Sequence, residues 1–164
     1  MKKKIKSYWN SRAKKKSLAG SNTVLPDLLE TNYLINLVKS NKSILDVGCG
    51  NGIFLERLRK EINFKSAVGF DYSKEMIIEA KKRNIKNTKF ITLDMTKSEQ
   101  LQLLNQKFDY IITKRSLINL ANFNQQIKVI VELSKLLKIL VRIYAKVVDI
   151  PAVFFCWPTA PSIS

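Results

Sequence analysis

A doubly wound α/β domain on a mostly parallel sheet is the fold class this chain predicts, and three observations carry it. The apolar run Ser43-Ile44-Leu45 ends in the glycine-rich heptapeptide Asp46-Val47-Gly48-Cys49-Gly50-Asn51-Gly52. It resumes as the helix-like Ile53-Phe54-Leu55-Glu56-Arg57-Leu58, which reads as strand, tight turn and helix start. A second apolar run, Ser66-Ala67-Val68-Gly69-Phe70, ends in Asp71, 19 residues after Gly52, where doubly wound folds place the carboxylate that takes ribose hydroxyls. Two more strand-like runs follow: Thr88-Lys89-Phe90-Ile91-Thr92-Leu93, ending in Asp94-Met95, and Phe108-Asp109-Tyr110-Ile111-Ile112-Thr113.

The glycines define what the first loop can hold. They permit positive φ and let backbone N–H groups approach a ligand that a Cβ would exclude. A dinucleotide fingerprint needs G-x-G-x-x-G, with its third glycine inside the helix. Here the pattern is G-x-G-x-G, with Asp46 two positions ahead of Gly48. It resembles motif I of the class I S-adenosylmethionine-dependent methyltransferases, whose ligand has no pyrophosphate. That resemblance implies a Rossmann-like sheet of order 3-2-1-4-5 and S-adenosyl-L-methionine as cofactor. Asp46, Gly48, Cys49, Gly50 and Gly52 then surround the methionine end, where a carboxylate suits a cation.

The later segments resemble the same family in the right order. Tyr72-Ser73-Lys74-Glu75-Met76-Ile77 matches its "D-x-S-x-x-M" stretch, with Ser73 as helix N-cap. By that resemblance Asp71 takes the ribose diol, and Tyr72 and Met76 pack on adenine. Asp94 accepts from the exocyclic amine, and the Met95 N–H reaches a ring nitrogen. The plainer alternatives make Asp71 and Asp94 turn residues and Met76 core. The stretch Arg115-Ser116-Leu117-Ile118-Asn119-Leu120 resembles an "R-x-L-I-N-L…Q" signature of small-molecule and sugar-type methyltransferases. It puts Lys114, Arg115 and Asn119 at the acceptor, or else makes Leu117, Ile118 and Leu120 core and Arg115 a solvated cap.

Composition narrows the chemistry. The 164 residues include no histidine, which excludes a histidine base, a histidine-ligated metal and a Ser-His triad. Cys49 and Cys156 are isolated, with neither a disulfide framework nor metal-ligand spacing. No signal-peptide pattern and no apolar stretch of about 18 residues occur, so no membrane span and a cytoplasmic location are expected. Nothing in the sequence sets an oligomeric state. The formal net charge of +16 favours polyanions in general. No RNP pattern, GXXG clamp or "[DNS]-P-P-[YFW]" stretch accompanies it, and Lys-, Ile- and Asn-rich usage also follows from AT-rich coding. The expected acceptor is an oxygen or nitrogen of a small molecule. An RNA methyltransferase and an inactive cofactor-binding protein are the alternatives.

Residues 1–40 precede the sheet and are expected to form a helical lid, with Tyr8 and Trp9 facing the acceptor. Within them Asp27 and Glu30 have capping-box spacing before a helix that runs to about Lys39. Residues 41–138 form the cofactor-binding core. Beyond them, residues 139–148 have the composition of a fifth strand. With no glycine after Gly69, a hairpin ending is not expected. Residues 139–164 therefore read as a truncated or frame-shifted end lacking strands six and seven.

Overall fold

A computed structural model describes residues 2–15, 24–138, 143–145 and 153–155 of the chain. In these residues β1 (Ser43–Val47), β2 (Ser66–Asp71), β3 (Thr88–Thr92), β4 (Tyr110–Thr113), β5 (Ile143–Ala145) and β6 (Val153–Phe155) form one sheet of order β3-β2-β1-β4-β5-β6. The first five are parallel, giving the expected 3-2-1-4-5 order. β1 lies at the centre and is buried along its whole length, as its unbroken apolar run requires of a strand covered on both faces.

Helices cover each face. On one lie α2 (Val24–Leu37), α3 (Ile53–Glu61) and α4 (Lys74–Lys82), whose Ile35, Phe54, Leu58, Ile77 and Ala80 pack with Ile44, Ala67 and Ile112 of the sheet. On the other lie α5 (Ser98–Gln102) and α6 (Phe123–Ser134), where Leu101, Val129 and Leu133 meet Leu45, Val68 and Ile111. The 2.0-residue alternation of the strands sorts the two sets. The cap expected at Ser73 forms, its Oγ accepting from Met76 N–H at 3.2 Å. Asn122 does the same for α6, accepting from Gln125 N–H at 2.9 Å; each such cap contributes about 1 kcal/mol. At the opposite end of the sheet Asp109 Oδ2 accepts from Ser43 N–H and Oγ at 2.8 and 2.6 Å, fastening β1 to the start of β4.

Three expectations are corrected. α2 begins at Val24, ahead of Asp27, so Asp27 lies in its first turn and no capping box forms. Its carboxylate is drawn instead into ion pairs with Lys114 and Arg57, which tertiary packing supplies and local spacing does not reveal. Strand four is also shorter than expected: Phe108 makes only an isolated bridge to Leu137, and the strand proper starts at Tyr110. Finally, a sixth strand exists, β6, antiparallel to β5. Residues 146–152 separate the two, and a connection of that length does not need the positive-φ residues of a two-residue turn. Strand five occupies 143–145 of the expected 139–148. The rest of that span, and the tail from Cys156 on, lie outside the described residues.

Candidate cofactor and acceptor crevice

Parallel strands present their carboxyl ends on one side, and here those ends surround a cavity of about 540 Å³. Its floor is the loop after β1. Gly48, Gly50 and Gly52 have φ of +70°, +53° and +76°, the left-handed region that only glycine enters at little cost. The reasons for glycine differ along the loop. A Cβ on Gly48 would stand 2.4 Å from Ser116 Cβ, and one on Gly52 would stand 2.8 Å from Phe90 Cζ. At Gly50 the nearest atom to such a Cβ is Met76 Sδ at 3.9 Å, so that backbone faces open crevice.

Asp71, at the end of β2, accepts from Gly50 N–H at 3.1 Å through Oδ2 and from Ser73 N–H at 2.8 Å through Oδ1. It thereby ties the loop to the start of α4 while lining the cavity. Burial pushes its carboxyl above the usual range, and the N–H groups of Ser73, Gly50 and Tyr72 oppose that. Tyr72 and Met76 line the same wall. The buried Tyr72 hydroxyl has no hydrogen-bond partner among the described residues. Burial, then the charges of Asp71 and Asp94, pushes it up to about 12. Asp94 and Met95 follow β3 into the lining. Asp94 Oδ1 accepts from Thr96 N–H and Oγ1 at 2.9 and 2.7 Å, forming a tight Asx-type turn.

The far side is built by the segment after β4. Lys114, Arg115 and Asn119 all line the cavity. Lys114 Nζ donates to Asp27 Oδ1 at 2.6 Å and Thr31 Oγ1 at 2.8 Å, and Arg57 reaches Asp27 Oδ2 at 3.0 Å. Arg115 has φ +56°, a conformation costing a non-glycine residue about 1 kcal/mol. Its ion pair with Glu30 at 2.7 Å and the Asn119 Nδ2 donation to its carbonyl at 2.9 Å hold it there. α2 is thus clamped over the β4 end of the crevice by two cation–carboxylate contacts. The roof comes from α1 (Lys2–Arg12), joined to α4 where Ser73 Oγ donates to Asn10 Oδ1 at 2.7 Å. Trp9 lines the cavity and packs on Met76.

Four of the residues singled out from sequence lie outside the lining. Tyr8 is half-exposed and meets Trp9 edge-on at 5.0 Å. The Cys49 thiol is buried against Gly69, and burial pushes it well up. Gly52 packs on Phe90 and Ala80. Asp46 sits behind the loop with Oδ2 buried and unpartnered among the described residues. Burial raises its carboxyl from 3.8 to about 7, with Lys114 pulling it down and Asp71 pushing it up. Conversely, sequence did not point to Lys6, Lys97 or Gln100, which also line the cavity beside Gln125 of the signature stretch. Nor did it point to Arg83, whose Nε donates to Asn51 O at 2.6 Å and whose Nη1 pairs with Glu56 at 2.8 Å, steadying the loop from behind. These residues carry no motif; only the fold assembles them. Among the described residues no cluster of His, Cys, Asp or Glu suits a metal ion, and no helix is long and apolar enough to cross a membrane.

A family model described as a methyltransferase domain matches residues 38–154. The malonyl-[acyl-carrier protein] O-methyltransferase of Buchnera aphidicola subsp. Baizongia pistaciae is 33% identical over 106 residues, covering 63% of this chain and 40% of its own. The magnesium protoporphyrin IX methyltransferase ChlM of Synechocystis PCC 6803, solved with bound SAH, superposes with a TM-score of 0.68 at 18% identity, over 88% of this chain and 72% of that one. The sugar N-methyltransferase KedS8 of Streptoalloteichus sp. ATCC 53650 gives 0.58 at 23% identity, over 70% and 46%. The chain spans about two fifths of the length of the curated relatives it matches.

Proposed function

This chain belongs to the methyltransferase domain family, and from that premise we propose that it holds S-adenosylmethionine in the crevice and transfers the methyl group to an oxygen or nitrogen of a small-molecule or sugar-type acceptor. The observation that carries the reading is convergence. Two left-handed glycines, Gly48 and Gly50, the Asp71 carboxylate that accepts two N–H groups and the Asx turn of Asp94 rim one cavity at the carboxyl ends of β1, β2 and β3.

The donor set fits such a cofactor. The open backbone at Gly50 is a cradle for the amino-acid end, and the buried carboxyl of Asp46 behind it is the group that an ammonium there would draw into its ionised form. Each Asp71 oxygen accepts one N–H from the protein and keeps a lone pair for a ribose hydroxyl. On this reading Asp94 Oδ2, which makes no hydrogen bond among the described residues, accepts from adenine's amine, and Tyr72 and Met76 of the same lining pack on the ring. Trp9 and α1 exclude water from above. When bound, the cofactor supplies an already activated methyl group. The work of the chain is then to bind, to orient and to keep the site dry, because a well-aligned displacement takes most of its acceleration from positioning. KedS8, a sugar N-methyltransferase of the same fold, and the crevice-facing Lys114, Arg115 and Asn119 support the small-molecule acceptor.

Calorimetry with S-adenosylhomocysteine tests the cofactor. The chain is expected to bind it, and Asp71→Ala and Asp94→Ala are each expected to weaken it by about 1.5 to 3 kcal/mol, the range for a charge-assisted hydrogen bond. Unchanged affinity in both variants overturns the assignment.

A further inference from the structure

The acceptor side of the crevice has an unbalanced charge. The sheet order places Asp71 and Asp94 at the ends of β2 and β3, on one side of the β1 loop, and β4 on the other. On the β4 side and in the roof the polar lining is Lys6, Lys114, Arg115, Ser116, Asn119 and Gln125, beside Trp9, with no carboxylate there among the described residues. The cations are only partly offset from behind. Asp27 is shared by Lys114 and Arg57, leaving that trio with one positive charge, while Glu30 balances Arg115. Lys6 adds a further charge at the exposed rim.

Among the described residues this side also offers no proton acceptor. The chain has no histidine. Both Asp71 oxygens are engaged with backbone N–H groups, and Lys114 donates to two oxygens and so serves as a cation. Tyr72 has its hydroxyl buried in the opposite wall. An alcohol or an ammonium group must lose a proton during methylation and is poorly served here.

We propose that the acceptor's nucleophile is a carboxylate, held at the cationic β4 side against Trp9 and converted to a methyl ester. This deepens the methyl-transfer reading above and rests on it. A carboxylate is already ionised at neutral pH. One of its oxygens donates a lone pair to form the O–CH₃ bond. The methyl–sulfur bond breaks, and its electron pair stays on sulfur. The carboxylate's negative charge and the sulfonium's positive charge cancel, and no proton leaves. A site without a base is therefore complete for this nucleophile.

The test uses the chain loaded with S-adenosylhomocysteine and matched acid, amide and amine probes on phenyl, indolyl and alkyl scaffolds, followed by ligand-observed NMR. Acids are expected to bind more tightly than their amides, and amines most weakly. Lys6→Glu is expected to cut acid binding about fivefold, the scale of one exposed charge pair, while Lys6→Arg retains it. With saturating S-adenosylmethionine, the acid that binds best is expected to yield a base-labile methyl ester at a rate nearly flat between about pH 8 and 9, above the titration of Asp46 at about 7, because the nucleophile needs no deprotonation there. Amides or amines that bind as well as acids, no acid binding at all, or methylation of an amine at a rate rising with pH overturns the carboxylate. Failure of S-adenosylhomocysteine itself to bind overturns the cofactor reading instead, which separates the two.

Discussion

Single residues in the glycine loop carry costs that binding has to justify. Asp46 is buried behind the loop with an unpartnered oxygen, and burial lifts its carboxyl from 3.8 to about 7. The folded chain thus holds this proton more tightly than the unfolded chain does. The stability Asp46 contributes is full below about pH 4 and is lost as pH rises through about 7. Asp46→Asn keeps the shape and removes the charge. Denaturant unfolding without ligand is expected to show the variant more stable than the parent at pH 8, by up to a few kcal/mol at about 1.4 kcal/mol per tenfold change in acidity. The gain should shrink towards pH 5. A gain that grows as pH falls contradicts the account. Gly52 is a separate case, because its φ of +76° and the closeness of Phe90 both oppose a Cβ. Gly52→Ala is expected to cost about 1 to 3 kcal/mol through strain and overpacking, read as a lower denaturation midpoint at unchanged slope.

Among the elements, α2 links packing to the site. The inward side of its first half is polar, with Asp27 and Thr31 buried and holding Lys114 and Arg57, while Leu25, Leu29 and Tyr33 lie exposed and Ile35 in its second half packs on the sheet. Asp27→Ala would strand two largely buried cations, at a cost on the order of 3 kcal/mol. Leu29→Ser, on the exposed side, should change stability by less than about 0.5 kcal/mol. Similar losses for the two variants, measured by urea unfolding, would mean that the clamp contributes nothing special. This inversion explains which elements were legible in sequence. β1, β2, α3 and α4 announce themselves by apolar period and caps, because their chemistry is local. The start of α2 does not, since Asp27 answers to Lys114 and Arg57, 87 and 30 residues away. Likewise Tyr8 and Trp9 are equivalent in sequence, and only the docking of α1 on α4 turns Trp9 inward. The glycine loop, Asp71 and Asp94 were readable because each ends a strand. Lys6, Gln100 and Arg83 reach the site only through the fold.

At the scale of the whole molecule, 29 basic against 13 acidic residues give a formal charge of +16, the one observation that favours an RNA acceptor. Exposed lysines are spread over the described surface; one group lies on the β3 side, with Lys74, Lys81 and Lys82 on α4 and Lys86 and Lys89 beside or on the edge strand. Lysine on an edge strand has another use, since it blocks pairing with a second sheet. Purely electrostatic binding declines steeply with salt: releasing counterions from six to ten phosphates loses about 10³ to 10⁵ in affinity between roughly 50 and 200 mM. Binding to random-sequence RNA is therefore expected at low salt and should vanish near about 200 mM. Replacing Lys81, Lys86 and Lys89 by Gln should flatten the logarithmic salt slope by about 2, at about 0.7 per lost contact with a single strand. Methyl transfer to a small acceptor should be unaffected by those three changes, because none of them lines the crevice. A complex that persists at physiological salt, depends on RNA sequence, and supports methyl transfer only while these lysines are present would make RNA the acceptor and the basic edge its docking face.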